Sequence, residues 1–511
     1  MKTLNIIKAV IIAFPLVSLT ACNDWLGVDM EDSILEEKLY QTDEGYLSVL
    51  NGIYSQMNEN YSTTLTMGGI DVMAQYYNVA QNSNHEYYAF AQYQFEQLKS
   101  ISNSVWEKQY FLIANINTLL EKCEGKESKL SATYLPYIKG EALALRAFLH
   151  FDLFRLYGPI YSRQTEEQLT IPYQQTSSKG EIQPLLPAKQ IIEHIISDLT
   201  ESSTLLANDK IRKDGVMNGS SDDPNEDIQL RYRQYRLNYY AVQALLARAY
   251  MWKGDKEAAA KILKALISEN KEKEIFVWTK KDDVIGKRAD YLFSTEVMFA
   301  LYNRSRNKLY DQFFNESVGY NHCLTFMGES LKEGDKKSKA TYFFDDMGDL
   351  RRDYMWKVKE VGQTDETGSS TGQQLSLCLQ KYIGNSNNSF RYMIPLLRMS
   401  EVYLMAAECS NNVNEAIEYI NAIRTARNCV KLEAKENITM DNIQQYVTAE
   451  FAREVIGEGQ LYYHYKRLGL KVIPSGIDYG GWYADGKDEM NLSNYVWPLP
   501  DTEKDKRTVS K

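Results

Sequence analysis

Apolar residues recur at helical spacing in two distant stretches of the chain, and both stretches share one layout. The spaced positions of the first are Ala247, Tyr250, Gly254, Ala259, Leu263 and Leu266. Those of the second are Leu404, Ala407, Asn411, Ala416, Ile420 and Ile423. Both sets follow steps of 3, 4, 5, 4 and 3 residues. Steps of 3 and 4 keep one face of a helix apolar, and the step of 5 crosses a turn, so each stretch predicts two helices joined tightly.

The predicted turns lie at Gly254 and Asn411, because glycine adopts positive φ readily and asparagine tolerates it. Ala259 and Ala416 are small, as expected where paired helices approach most closely. The layout resembles the tetratricopeptide helical hairpin. The alternative is a set of amphipathic helices without common ancestry.

Three helical regions are predicted on this basis, near residues 105–158, 187–270 and 397–469. The first has an apolar face followed by a partial copy of the same pattern: Trp106, Tyr110, Ile113, Ile116 and Leu120, then Phe151, Phe154 and Gly158. Irregular insertions are expected at 60–100, 208–234 and 303–390, so the pairs do not form a tandem array. Residues 208–234 are polar and predict a solvated loop, while VMFALY predicts a short strand.

The chain begins with the layout of a secretory signal. Lys2 and Lys8 give a positive start, and the apolar run from Ile6 to Leu19 spans about 14 residues, fewer than the roughly 20 that cross a bilayer. The following LTAC resembles the lipobox of bacterial lipoproteins, which predicts a signal peptide at 1–21 and lipidation of Cys22. An ordinary cleaved signal is the alternative. Residues 22–37 are acidic and predict a tether, with the folded domain at 38–511.

Charge and motif content argue against several classes of function. The net charge is −10, and no basic face is evident, so nucleic acid is not an expected partner. No H-E-x-x-H, phosphate-binding loop or nucleophile elbow is present, so no catalytic residues are predicted. The five histidines are scattered, and neither a metal site nor a cofactor is predicted. Cys409 and Cys429 are interpreted as small apolar helical residues, although a pairing between them stays open.

Tyrosine is the positive signal, with 37 in 511 residues. The stretch DVMAQYYNVAQNSNHEYYAF mixes four tyrosines with asparagines, and LYDQFFNESVGY adds a second aromatic cluster. A pyranose ring presents a C–H face that stacks on an aromatic plane, and its hydroxyls need donors and acceptors. Tyrosine and asparagine together supply both, which favours a sugar site, although such rings can equally pack beneath a loop.

Seven segments of the chain are similar to segments of a known family and occur in the same order. Together they extend over nearly the whole chain after the signal. They are EGYLSVLNGIYSQM, EALALRAFLHFDLFRLYGPI, EVMFALYN, FFDDMGDLRRD, LLRMSEVYLMAAEC, EFAREVIGEGQLYYHYKRLG and YVWPLP. The chain thereby resembles the SusD/RagB-type outer-membrane lipoproteins of Bacteroidota.

The resemblance implies an all-α protein in which four tetratricopeptide units support a less regular binding lobe. It implies a lipid anchor on the outer membrane and a SusC-type TonB-dependent transporter as partner. The acidic residues that begin with Asp24 resemble the surface-export signal of these lipoproteins, which implies exposure at the cell surface. Such proteins capture oligosaccharides, or peptides in some branches, without catalysis. Because loops in the two aromatic regions commonly face the ligand in this family, the candidate ligand-binding residues are Tyr76, Tyr77, Asn78, Tyr87, Tyr88, Tyr310 and Tyr320.

Two other functions fit the sequence less well. The helical repeats would suit a scaffold that binds only proteins or peptides. Among 68 carboxylates some pair would also match a glycoside hydrolase in spacing, but the sequence identifies none.

Overall fold

A computed structural model describes residues 38–504, except for 81, 179–181, 217–226, 331–342, 365–369, 385–387, 435–436 and 475–486. The predicted signal peptide at 1–21, Cys22 and the tether at 22–37 lie outside the described residues.

Helices provide most of the regular structure. In chain order they are α1 (Asp43–Tyr61), α2 (Gly69–Met73), α3 (Tyr88–Ala91), α4 (Lys99–Glu124), α5 (Leu135–Tyr157), α6 (Ala188–Leu205), α7 (Ile211–Asp214), α8 (Tyr239–Lys253), α9 (Lys256–Lys273), α10 (Lys281–Val284), α11 (Arg306–Phe313), α12 (Leu350–Tyr354), α13 (Met399–Cys409), α14 (Val413–Ala426), α15 (Ile443–Glu454) and α16 (Leu461–Leu468). The prediction of a mainly helical fold with few short strands is confirmed.

The long helices pack in succession. Helix α4 contacts α5, α5 contacts α6, α6 contacts α8, α8 contacts α9, and α9 contacts α13. Helix α5 lies at the centre of this frame, and every residue from Gly140 to Tyr157 is buried. A helix buried on all sides explains why the segment carries almost no polar face.

The two matched stretches of the sequence form helical hairpins, α8 with α9 and α13 with α14. Gly254 adopts φ +86° at the first turn, as predicted, and Ala259 is fully buried behind it. The second turn differs, because Asn411 is not among the residues with positive φ. There Asn412 caps α14 instead, and its side chain accepts hydrogen bonds from the N–H groups of Asn414 and Glu415.

Within the described residues, the strands form three small antiparallel sheets. In chain order they are β1 (Val297–Tyr302), β2 (Thr325–Ser330), β3 (Trp356–Thr364), β4 (Ser370–Leu379), β5 (Met393–Arg398), β6 (Val472–Pro474) and β7 (Lys487–Glu489). Strand β1 pairs with β5, β4 lies between β2 and β3, and β6 pairs with β7. The predicted strand VMFALY is β1, and β5 leads directly into α13.

A cluster of buried charges joins the end of α15 to the segments around it. Glu454 accepts hydrogen bonds from Arg351 at 2.7 Å and from Arg398 at 2.8 Å, and it forms a two-point pair with Arg427 at 2.7 and 2.8 Å. Arg427 also pairs with both oxygens of Glu296. These side chains are at most 1% exposed, so each charge depends on its partners rather than on water.

The stretch GEGQ binds a carboxylate from a distant part of the chain. Gly457 and Gly459 both have positive φ, and their N–H groups donate to the two oxygens of Asp71 at 2.6 and 2.9 Å. Two amides that converge in this way form a cradle for an anionic group. The contact ties α2 to the turn before α16.

Two histidines and two cysteines singled out in the sequence lie buried in the fold. His150 stacks on Tyr173 at 3.9 Å and His464 on Phe451 at 4.4 Å, and burial lowers the pKa of each histidine to about 3. Cys409 is a buried residue of α13, as predicted, and is a free thiol. Cys429 is also a buried free thiol, but it lies beyond the end of α14 rather than in a helix.

Candidate functional site

Three of the predicted ligand-binding residues lie in the core. Tyr76 and Tyr77 are each 1% exposed, and Asn78 is 4% exposed. The Tyr76 ring packs against Phe326 and Phe343, and its hydroxyl donates to the backbone oxygen of Ala452 at 2.6 Å. In this structure these side chains therefore fill the interior of the irregular lobe and offer no face to a ligand.

The other four predicted residues divide into one buried and three half-buried side chains. Tyr310 is 6% exposed, and its hydroxyl lies 3.3 Å from Oε1 of Gln380. Tyr87, Tyr88 and Tyr320 are half-buried, and the Tyr87 ring packs edge-on against Phe313. None of the seven predicted residues lines any of the five most pronounced cavities in the described part of the chain. A ligand-binding role for the three half-buried tyrosines stays a prediction.

The cavity best suited to a ligand lies elsewhere, and we call it the tyrosine cleft. It has a volume of about 630 Å³, within the range typical of ligand pockets. Its aromatic lining consists of Tyr54, Tyr232, Tyr235, Tyr302 and Tyr392. Its polar lining consists of Asn51, Ser55, Gln229, Ser389, Arg231, Arg236 and Arg391. Flat apolar rings beside amide, hydroxyl and guanidinium groups are the combination that sugar recognition requires.

Helix α1 supplies one wall of the cleft. Asn51, Tyr54 and Ser55 are three and four residues apart and so lie on one face of the helix. The Tyr54 hydroxyl donates to Oε2 of Glu141 at 2.9 Å and accepts from the N–H of Leu237 at 2.9 Å. Burial, and then the nearby Glu141 charge, raise the pKa of Tyr54 well above its usual value, so this hydroxyl stays protonated.

Strands β1 and β5 supply the opposite wall. Tyr302 ends β1 and is 46% exposed, and the N–H of Asn303 donates to the backbone oxygen of Tyr392 at 2.7 Å. The Tyr302 ring meets Tyr235 edge-on at 5.4 Å and Tyr392 edge-on at 5.0 Å. Three rings from three segments thus support one another, which favours a fixed arrangement.

Tyr232 stands at the rim of the cleft in an unusual backbone conformation. Its φ of 54° and ψ of 42° lie in the left-handed region, where non-glycine residues are uncommon, and its side chain is 45% exposed. Its backbone oxygen accepts from the N–H of Tyr235 at 2.9 Å, which closes a tight turn. Such strain tends to be retained where a side chain must be presented in one direction.

The cleft continues into a second hollow, which we call the acidic hollow. A narrow space of about 30 Å³ lies between them and shares Tyr232, Tyr235 and Ser389 with the cleft. The acidic hollow has a volume of about 570 Å³ and shares Ser294, Ser389 and Phe390 with the narrow space. Its lining includes Asp282, Asp283 and Asp290, and burial raises the pKa of Asp290 to about 6. The three spaces therefore adjoin one another, and the narrow one has room for about one water molecule.

The sequence carries a local signal for the cleft in an unusually arginine- and tyrosine-rich segment. Residues 231–240, RYRQYRLNYY, contain three arginines and four tyrosines in ten positions. The segment 208–234 was predicted to be a solvated loop, and this prediction is wrong for the last part of the segment. Leu230, Arg233 and Gln234 are buried, because the segment folds back against β1 and positions Tyr232 at the cleft.

Neither a metal centre nor a membrane helix was found in the part of the chain that the structure describes. There, no three His, Cys, Asp or Glu side chains are grouped so that they would hold a metal ion. In the same residues no helix combines the length and the apolar character needed to cross a bilayer.

Two family models match the chain, and related proteins and structures agree with them. Residues 24–219 match a family described as starch-binding and associating with the outer membrane, and residues 307–509 match the SusD family. A relative from Formosa agariphila, SusD-like protein P38, is 23% identical over 542 residues and covers 98% of this chain and 96% of its own length.

Solved structures give the same result for the fold. A SusD superfamily protein from Bacteroides thetaiotaomicron has a TM-score of 0.65 at 20% identity and covers 91% of this chain and 98% of its own. Surface glycan-binding protein A from the same organism has a TM-score of 0.60 at 17% identity and covers 93% of this chain and 99% of its own. The family matches, the relative and the shared fold lead to one conclusion: the chain belongs to the SusD family.

Proposed function

We propose that this protein is a cell-surface glycan-binding lipoprotein that captures an oligosaccharide in the tyrosine cleft and delivers it to a SusC-type TonB-dependent transporter. The observation that carries the proposal is the cleft itself, in which exposed rings of Tyr232 and Tyr302 stand beside amide, hydroxyl and guanidinium groups. The description of the matching family as starch-binding and the name of surface glycan-binding protein A support a carbohydrate ligand.

The volume of the cleft supports an oligosaccharide rather than a single ring. One sugar stacked on Tyr302 would leave room for its neighbours within the cleft, which has a volume of about 630 Å³. The ligand contacts would be those of stacking and partly solvated hydrogen bonds, which give modest affinity after ordering costs are met. Capture followed by release to a transporter requires this balance, and the proposed function includes no catalysis.

Replacing Tyr302 with alanine is expected to weaken glycan binding about tenfold, because it removes a stacking surface and loosens Tyr235 and Tyr392. Isothermal titration calorimetry with a polysaccharide and oligosaccharide panel would measure the change. Tyr302→Phe is the matched control: it keeps the ring and should bind with nearly unchanged affinity.

The same titration decides between the two candidate sites. Tyr88→Ala and Tyr320→Ala remove half-buried rings from the regions that the sequence indicated, outside the cleft lining. If these variants lose binding while Tyr302→Ala retains it, the ligand binds at the aromatic loops rather than in the cleft. If no glycan in the panel binds the intact protein and a protein partner is captured instead, the scaffold alternative replaces this proposal.

The membrane anchor is proposed at Cys22, where diacylglyceryl and acyl chains would together give stable attachment. Cys22→Ala is therefore expected to move the protein from the outer-membrane fraction to the soluble fraction. Fractionation followed by immunoblotting measures this, and labelling with a radioactive or clickable palmitate analogue provides a second readout. Unchanged membrane association of a Cys22→Ala variant would contradict the lipoprotein assignment.

A further inference from the structure

Two cysteine side chains meet inside the irregular lobe. The Sγ atom of Cys323 lies 3.9 Å from the Sγ atom of Cys378, although 55 positions of the chain separate the two residues. Cys323 is 2% exposed and Cys378 is fully buried. The two sulfurs are therefore neighbours in the core, away from solvent.

The pairing of β2 with β4 brings the two cysteines together. Thr325, the first residue of β2, lies opposite Cys378 in the antiparallel register, and Cys323 comes two residues before Thr325. On its other side, β4 pairs with β3 and places Lys357 opposite Cys378. The N–H of Cys323 donates to the backbone oxygen of Gly319 at 3.1 Å. Backbone hydrogen bonds thus hold both residues in place, so their approach does not depend on a loose loop.

A bond between the sulfurs requires only a short movement. In a disulfide the two sulfurs are about 2.05 Å apart, so the pair would have to close from 3.9 Å. Each sulfur turns about its own Cα–Cβ bond, so rotation of the two side chains brings the sulfurs closer while β2 and β4 stay paired. The Sγ atom of Cys323 now contacts the backbone oxygen of Asn315 at 3.7 Å. A thiol is a weak donor, so turning away from that oxygen costs little.

The compartment in which the protein is proposed to function favours the oxidised form. Disulfides form and persist in exported and surface proteins, whereas cytosolic thiols are kept reduced. The start of the chain predicts a secretory signal, and residues 24–219 match a family described as associating with the outer membrane. The redox argument therefore depends on the proposed export and not on glycan binding.

We infer that Cys323 and Cys378 are joined by a disulfide bond in the exported protein. The oxidant is the disulfide of a thiol oxidoreductase of the cell envelope. One cysteine thiolate attacks that disulfide and forms a mixed disulfide, which the second cysteine thiolate then attacks. The new S–S bond forms, and the oxidant leaves as two thiols that have taken up two electrons and two protons. Because the folded chain buries both sulfurs, the exchange takes place before the lobe has finished packing.

The bond would close a loop that contains most of the three-stranded sheet. This loop includes β2, α12, β3 and all but the last residue of β4. A cross-link of this kind stabilises a protein mainly by restricting the unfolded chain. We therefore expect the oxidised protein to unfold at a temperature about 3–6 °C higher than the same protein kept in reductant.

Mass spectrometry on the exported protein tests the bond directly. Cells are quenched in acid, reactive thiols are blocked with iodoacetamide, and the protein from the envelope fraction is digested with trypsin without reductant. We expect a cross-linked pair of the peptides 309–332 and 360–381, which carry Cys323 and Cys378. Treatment with a reductant should separate them.

Refolding of the purified protein tests the geometry without relying on export. The mature soluble protein without Cys22 retains five cysteines. After reduction and unfolding, refolding in oxidised glutathione should produce the same cross-linked peptides and leave three reactive thiols. Oxidised glutathione added to the folded, reduced protein should act far more slowly, because both sulfurs are buried.

Two variants connect the bond to stability. The readout is the difference in unfolding temperature between the oxidised and the reduced sample of each variant, so any general loss of stability cancels. Cys323→Ala should abolish this difference. Cys409→Ala is the matched control: it removes another buried cysteine and should retain the full difference.

The outcomes separate this inference from the proposed function. If both cysteines of the exported protein are blocked by iodoacetamide, or if refolding joins a different pair, the inference is overturned while glycan binding in the tyrosine cleft is unaffected. If the unfolding temperature of the original protein does not respond to reductant, the bond is absent or has no structural role, which also overturns it. If the protein is not found in the envelope, the lipoprotein assignment fails, and the refolding experiment alone decides whether the two sulfurs pair.

Discussion

Glutamine in place of Glu454 is expected to lower the free energy of unfolding by about 3–5 kcal/mol. The carboxylate is fully buried and receives hydrogen bonds from Arg351, Arg398 and Arg427. A neutral amide keeps the size of the side chain but leaves three buried guanidiniums with less negative charge between them. Urea unfolding followed by circular dichroism measures the difference between the variant and the original protein.

Glu96→Gln is the matched control for this change. Glu96 pairs with Lys99 at 2.7 Å, but its side chain is 84% exposed, so the same substitution should cost less than about 0.5 kcal/mol. Equal effects of the two substitutions would contradict the idea that burial gives Glu454 its importance.

The pH dependence of the Glu454 effect follows from the same contacts. Burial alone would raise the pKa of Glu454, but Arg427, Arg398 and Arg351 together hold that pKa well below its usual value. A carboxylate with a lowered pKa in the folded state stabilises the fold above its unfolded pKa of about 4.3. The difference between the original protein and Glu454→Gln should therefore be complete at neutral pH and shrink as the pH falls below about 4.

Alanine at Gly459 is expected to destabilise the fold by about 3–4 kcal/mol. Gly459 has φ +69°, and a Cβ atom there would lie 2.3 Å from the backbone oxygen of Leu65 and 2.5 Å from Cα of Thr66. Both neighbours are backbone atoms, so a rotamer change cannot relieve the contact. The shift would also disturb the N–H group that donates to Asp71. Thermal unfolding and urea unfolding both report this change.

Gly254→Ala separates the two contributions to that cost. Gly254 also has positive φ, +86°, but a Cβ atom there would meet nothing within 4 Å. Its replacement should cost only the backbone term of about 1–2 kcal/mol. If both glycines tolerate alanine equally well, the close approach of Gly459 to the Leu65–Thr66 backbone does not matter for stability.

Much of the fold was predictable because its signals are local. The steps of 3 and 4 residues around Gly254 and Ala416 describe single helices and the turns that join them, and the structure has those hairpins. The N-terminal end of α1 is also defined locally, because Thr42 caps it and its side chain accepts a hydrogen bond from the N–H of Gly45. Such features depend on neighbours within a few residues.

The candidate site was not predictable in the same way, because it joins distant segments. Tyr54, Tyr235, Tyr302 and Tyr392 meet at one cleft although the chain separates them widely, and the residues near Tyr54, Tyr302 and Tyr392 do not distinguish them from core tyrosines. Tyr76 illustrates the opposite case. Its surroundings in the sequence suggested an exposed loop, but Phe326 and Phe343, about 250 residues further on, cover its ring.

The burial of charged side chains could not be predicted from the sequence for the same reason. Lys466 follows the pattern of an ordinary helix-ending lysine, yet it is fully buried and its Nζ donates to the backbone oxygens of Arg155, Leu156 and Gly158. Those oxygens lie at the end of α5, where a helix lacks internal donors. Only the packing of α16 against α5 shows that one lysine meets this need.

The hydrogen bonds between Asp71 and the GEGQ turn have a consequence for the order in which the chain acquires its structure. They join residues 386 and 388 positions apart. A ribosome makes the N-terminal segment first, but that segment lacks its closing partner until residue 459 has been added. Because contacts of such long range carry a large loop-closure cost, α2 is expected to reach its final environment only after nearly all of the chain has been synthesised.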